Sequence, residues 1–121
     1  MGESTSAHPM LVLLTEIEQK SQQLLTGSSE RLNPIGADDV RQIYESSLRL
    51  QARLQQPDAM VIAPNRTLLF DLRSLLTVVF GYSEILLDGL DGEITPTQYR
   101  LTLEINQAAD AVNRGVQHLY G

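Results

Sequence analysis

The stretch Asn65–Leu87, NRTLLFDLRSLLTVVFGYSEILL, sets the tightest limit on what this chain can become. Leu69, Leu72, Leu76, Val79 and Leu86 fall on one heptad seam, with Ser83 its only polar member. Apolar spacing that alternates three and four predicts a helix packed along its whole length against other helices. A second row, Leu68, Leu75, Val78, Tyr82 and Ile85, widens the stripe, as a bundle helix with neighbours on more than one side requires. The remaining face carries Phe70, Arg73, Ser74, Thr77, Gly81 and Glu84. Phe70 is the misfit on that polar face, and local inconsistencies of this kind mark candidate functional positions.

A second helical pattern follows. Asp88-Gly89-Leu90-Asp91-Gly92-Glu93 reads as a turn. Its acids do not have the spacing of a calcium loop, so no metal site is expected. Thr95-Pro96-Thr97-Gln98 then opens a helix, with Thr95 as N-cap, Pro96 at the first helical position and Gln98 closing a capping box. Thr102, Ile105, Ala109, Val112, Val116 and Leu119 form its seam, flanked by Leu101 and Ala108.

Upstream, residues 1–9 read as a flexible leader. Leu11, Leu14, Ile17, Leu24 and Leu25 then predict an amphipathic helix ending near Gly27, a residue suited to a left-handed C-cap. Residues 28–37 read as a loop, and Asp38 and Asp39 as the first turn of a second helix. Val40, Ile43, Tyr44, Leu48 and Leu54 supply its seam, with Ser47 and Gln51 as interruptions. Glu45 and Arg49 stand as an i,i+4 pair. Pro57 and Pro64 bracket a break in which Met60-Val61-Ile62 is either an extended piece or a plug on the bundle end. Asn65 is a good N-cap for the next helix. The division is therefore a leader (1–9), an N-terminal helical pair (10–56), a linker (57–64) and a C-terminal hairpin (65–121).

The 121 residues suit one domain. With no tryptophan and 5% aromatics, leucine and valine must build the core. A net charge of −6 argues against a nucleic-acid footprint and against docking to anionic lipid. The absence of cysteine removes disulfides, thiolate catalysis and Cys-type zinc sites, and fits a reducing cytoplasm. No segment approaches a membrane span, so membrane insertion is not expected. A catalytic site needs a convergent nucleophile, base and stabiliser. The chain offers only His8 and His118 as histidines and no glycine-rich phosphate loop with lysine, so no enzyme and no cofactor are expected.

The run FDLRSLLTVVFGYSEILLDGL resembles the first helix of the dimerisation and phosphoacceptor domain of bacterial sensor histidine kinases. That pattern runs His-Glu-Leu-Arg-Thr-Pro-Leu-Thr, two or three apolar residues, Gly-Tyr-Ser-Glu and a leucine run. Asp71, Leu72, Arg73, Leu76, Thr77, Gly81, Tyr82, Ser83 and Glu84 match in kind, and Ser74 replaces threonine. Phe70 stands in the column of the phosphorylated histidine, and Leu75 in that of the kinking proline. The resemblance spans Asn65 to about Leu119.

The resemblance implies an all-α fold in which the C-terminal hairpin pairs with that of a second chain, giving a homodimeric four-helix bundle with two extra N-terminal helices. The dimer core would be Leu69, Leu72, Leu76, Val79, Leu86, Ile105, Ala109, Val112 and Val116. The expected role is a non-catalytic two-component signalling module that docks a receiver or output domain through Phe70, Asp71, Arg73, Ser74 and Thr77. In the resembled family an acid and a residue three positions on hold water for dephosphorylating a receiver. Asp71 and Ser74 would do this in weakened form, and a phosphatase-like or adaptor bundle is the alternative. From the residues alone, the first two helices could instead close the bundle within one chain.

Overall fold

The computed structural model describes residues 7–27 and 30–121. Four helices account for most of them: α1 (His8–Thr26), α2 (Pro34–Leu54), α3 (Arg66–Leu87) and α4 (Pro96–Tyr120), with a 3-10 turn at Pro57–Met60 between α2 and α3. Each helix packs on two neighbours, in the order α1, α2, α3, α4, with α4 returning to α1. The result is an antiparallel four-helix bundle closed by one chain.

This closure changes the meaning of the predicted seams. Leu72, Leu76, Val79, Leu86, Ile105, Ala109, Val112 and Val116, expected at an interface between two chains, are buried. The helices packed against α3 and α4 are α2 and α1 of the same chain. Leu69, expected in that seam, is only half-buried, and Leu68 takes the inward position at zero exposure. The inward spacing at this end is 68, 72, 76, two steps of four rather than a three and a four.

The two hairpins are the same unit repeated at a shift of 62 residues. The buried residues of α1 are Met10, Leu14, Ile17, Ser21 and Leu24, which fall on the buried Leu72, Leu76, Val79, Ser83 and Leu86 of α3. Those of α2 are Gly36, Asp39, Val40, Ile43, Ser46, Ser47, Leu50 and Leu54. They fall on Gln98, Leu101, Thr102, Ile105, Ala108, Ala109, Val112 and Val116, all buried in α4. The shift also maps the N-cap Asn33, followed by Pro34, onto the N-cap Thr95, followed by Pro96. Inward positions keep their register because a bundle core fixes which residue faces in, while tolerating changes of side chain that preserve volume across the layer.

The caps also lock the two turns together. Asn33 Oδ1 accepts from Gly36 N at 2.7 Å and its Nδ2 donates to Asp91 O at 2.8 Å. Thr95 Oγ1 accepts from Gln98 N at 3.1 Å and donates to Glu30 Oε1 at 3.0 Å, while Gln98 Oε1 accepts from Thr95 N at 2.9 Å. Each cap therefore starts its own helix and grips the turn of the other hairpin. At the opposite end, Tyr120 O accepts from Asn65 N at 2.9 Å, and the buried Tyr120 hydroxyl donates to Ala59 O at 2.7 Å.

Several local expectations are corrected. α1 begins at His8, inside the expected leader, of which residues 1–6 lie outside the described residues. Gly27 has an ordinary φ of −57°, whereas Gly89 (70°) and Gly92 (115°) carry the left-handed turn. The expected loop 28–37 includes Ser28 and Ser29, outside the described residues, and it is cut short because Asn33-Pro34 already starts α2. Asp38 and Asp39 thus fall in its second turn, and Asp39 is buried. In α2, Leu50 is buried and Leu48 is exposed. Ser47 is a core position, and its hydroxyl donates to Tyr44 O at 2.7 Å, so the seam continues through it. Between α2 and α3 it is Ala59 that plugs the end, while Met60, Val61 and Ile62 are exposed.

Candidate functional site

Asn65 fixes the phase of α3. Its Oδ1 accepts from Leu68 N at 3.0 Å, its backbone N–H is held by Tyr120, and Leu68, Leu72 and Leu76 point inward. Phe70 consequently points out, 70% exposed. A phenyl ring left that open gains little for the fold, since apolar stabilisation scales with the area removed from water.

Phe70 is the ridge between two grooves. The larger, about 870 Å³, runs between α2 and α3 and is lined by Arg49, Ala52, Arg53, Gln56, Pro57, Asp58, Phe70, Asp71, Ser74 and Leu75. The smaller, about 400 Å³, is lined by Arg66, Leu69, Phe70, Arg73, Ser74 and Thr77. All five docking residues read from the sequence, Phe70, Asp71, Arg73, Ser74 and Thr77, thus border one ridge.

The floor of the large groove is an ion-pair fork. Arg53 Nη1 and Nη2 donate to Asp58 Oδ1 and Oδ2 at 2.8 and 2.9 Å, and Arg53 Nε donates to Asp71 Oδ2 at 3.0 Å. Two-pronged guanidinium–carboxylate contacts fix orientation as well as charge. The hydrogen bonds to Asp58 raise the Arg53 guanidinium further above its usual range, and the same bonds lower the Asp58 carboxyl. The fork ties the turn after α2 to the first turns of α3, which holds the Phe70 ridge in place.

The hydroxyls are already engaged. Ser74 Oγ donates to Phe70 O and Thr77 Oγ1 to Arg73 O, both at 2.9 Å. Arg73 Nη2 donates to Gln117 Oε1. Asp71 thus gives one carboxylate oxygen to Arg53, and Ser74 gives its hydroxyl proton to a helix carbonyl.

Arg53, Asp58, Arg49 and Arg66 were not singled out by sequence reading as part of this site. Their only signal was the i,i+4 spacing of Arg49 and Arg53, which places both on one stripe of α2. The predicted Glu45–Arg49 pair is not formed: Arg49 has no carboxylate partner among the described residues. The repeat adds a relationship that no local pattern shows. Phe70 falls on His8, the exposed first residue of α1.

Among the described residues, no group of three or more His, Asp or Glu side chains is arranged to hold a metal ion, and no helix is long and apolar enough to cross a membrane. No protein-family model, curated protein or solved structure matches the chain.

Proposed function

We propose that this protein is a non-catalytic docking module of cytoplasmic two-component signalling, a degenerate form of the histidine kinase dimerisation domain. In this reading the pairing of hairpins that the resembled family makes between chains is made within one chain, and the product is a scaffold rather than a kinase. The observation that carries it is Phe70, 70% exposed on a ridge braced by Arg53, in the column where the family has its phosphorylated histidine. Exposed aromatics beside arginine are the residue types that anchor interfaces. The partner is a receiver or output domain.

The test is calorimetric titration of receiver domains from the source genome against the protein and its Phe70→Ala variant. The expected result is binding by the parent, loss of about 2 kcal/mol or more in the variant, and unchanged helicity and melting. No binding by any receiver, or equal binding by the variant, overturns the reading.

A second reading is favoured by one observation, the register of His8 with Phe70. If the first hairpin keeps the acceptor chemistry, a phosphoryl group passes from a receiver's aspartyl phosphate to the His8 imidazole nitrogen and frees the carboxylate. Incubation with a phosphorylated receiver would then give an acid-labile, base-stable label that His8→Gln abolishes. An unlabelled parent protein removes this reading.

A further inference from the structure

The chain carries nine Lys and Arg residues against fifteen Asp and Glu. Five of the nine cations are paired: Lys20 with Glu16 and Glu104, Arg41 with Asp38, Arg53 with Asp58 and Asp71, Arg100 with Glu104, and Arg114 with Asp110. Among the described residues, the four without a carboxylate partner are Arg31, Arg49, Arg66 and Arg73. Three of these four, Arg49, Arg66 and Arg73, line the two grooves beside Phe70. In an acidic protein, positive charge without a carboxylate partner is thus gathered around Phe70, the most exposed aromatic ring among the described residues.

The repeat supplies an internal control. A symmetric pair of hairpins would present two such faces, one at α3 and one at the equivalent place on α1. The shift of 62 residues takes Phe70 to His8, Arg73 to Leu11, Asp71 to Pro9, Arg53 to Gly115 and Arg49 to Ala111, while Arg66 falls on Ser4, outside the described residues. The core positions remain inward in both hairpins, but the cation-rimmed aromatic ridge exists in only one.

From this asymmetry we propose that the module is one-sided. It takes a single partner per chain, on the Phe70 face, and the partner is an amphipathic segment of another protein, its apolar face seated in the grooves beside Phe70 and rimmed by carboxylates. Charge complementarity selects that chemistry: three guanidinium groups without a carboxylate partner, around an apolar knob, attract an acidic rim and repel a basic one. The same charges argue against a second copy of this chain as the occupant, since face-to-face pairing would set Arg49, Arg66 and Arg73 against their own images. The proposal rests on the docking reading of Phe70 but not on the partner's being a receiver.

The test uses the full ¹⁵N-labelled chain and two synthetic amphipathic peptides of identical apolar face, one with a glutamate rim and one with a lysine rim. The acidic peptide is expected to shift the amides of Arg49–Arg53 and Phe70–Thr77 at one peptide per chain, and to leave Val12 and Thr15 unshifted. Its affinity should fall by roughly tenfold between low and high salt, as rim charge pairs are screened. The variant Arg49→Ala/Arg66→Ala/Arg73→Ala should fall by a similar factor with unchanged melting, because none of the three is buried. Equal or better binding of the lysine peptide overturns the charge assignment. Matching shifts on α1, or two peptides per chain, overturn the one-sidedness. Absence of any binding by the acidic peptide overturns the proposal as a whole, and a receiver that still binds through Phe70 would leave the docking reading standing.

Discussion

Asp39 and Leu101 occupy the same place in the two hairpins, one helical turn into the bundle from the cross-braced turns, and both are buried, 5% and 8% exposed. Where the second hairpin has a leucine, the first has a carboxylic acid whose Oδ2 has no hydrogen-bond partner among the described residues. Burial, together with the neighbouring Asp91 and Asp38 carboxyls, raises its pKa from 3.8 to about 7.

That shift has a defined sign. Between pH 4 and 7 the folded chain holds a proton on Asp39 that the unfolded chain has released, so stability falls as pH rises through this window and levels off above it. Asp39→Asn should therefore melt higher than the parent at pH 8, by on the order of 1–3 kcal/mol of unfolding free energy, and close to the parent at pH 4. Thermal melts of both proteins at the two pH values check this. Asp39→Leu, which copies the other hairpin, should stabilise in the same direction.

Tyr120 is 1% exposed and its hydroxyl is the partner of Ala59 O. Tyr120→Phe keeps the ring and strips that carbonyl of its donor, at a cost of about 1–3 kcal/mol. Urea titration should show a lower midpoint with an unchanged slope.

Ser21 and Ser83 are the same core position in α1 and α3, yet they should respond differently to alanine. Ser21 Oγ only donates to Ile17 O within its own helix, at 2.7 Å. Ser83 Oγ donates to Phe80 O and also accepts from Asn106 Nδ2 at 2.9 Å, across to α4. Ser21→Ala should be near neutral, while Ser83→Ala should lose about 0.5–1.5 kcal/mol, the net worth of one hydrogen bond. Equal losses would mean the cross-helix bond carries no weight.

Much of the bundle can be read from residue spacing. The heptads of α3 and α4 and the caps Asn65 and Thr95 predict the C-terminal hairpin almost to the residue, because long periodic segments with strong caps leave few alternatives. α2 is less legible. Asn33-Pro34 reads as loop punctuation unless matched to Thr95-Pro96, and the small Ser47 hides a core position that Leu48 mimics. The repeat is partly written in residue identity: Leu13-Leu14-Thr15, Ser21 and Leu24-Leu25 match Leu75-Leu76-Thr77, Ser83 and Leu86-Leu87. In the second helix of each hairpin the matches thin out, since Asp39 falls on Leu101 and Gly36 on Gln98, and there the register shows only once burial is known. The choice between closure within one chain and pairing of two also lies beyond periodicity, because a seam records that it is covered and not by whom.

The candidate site divides the same way. Phe70 is legible as an apolar residue out of phase with its helix. The Arg53 fork is not, because Asp58 and Asp71 reach it from separate elements, and the uneven distribution of unpaired arginines requires the ion pairs to be known first.

The segment Pro57–Asn65 that joins the hairpins also sets how the bundle behaves on dilution. Two separate hairpins meet at a rate set by their abundance, whereas a short tether holds them at an effective concentration on the order of millimolar. The Phe70 ridge is built from α2 and α3, one helix from each hairpin, so the tether is also what keeps the ridge assembled. A protein present at a few copies per cell would still display the whole face.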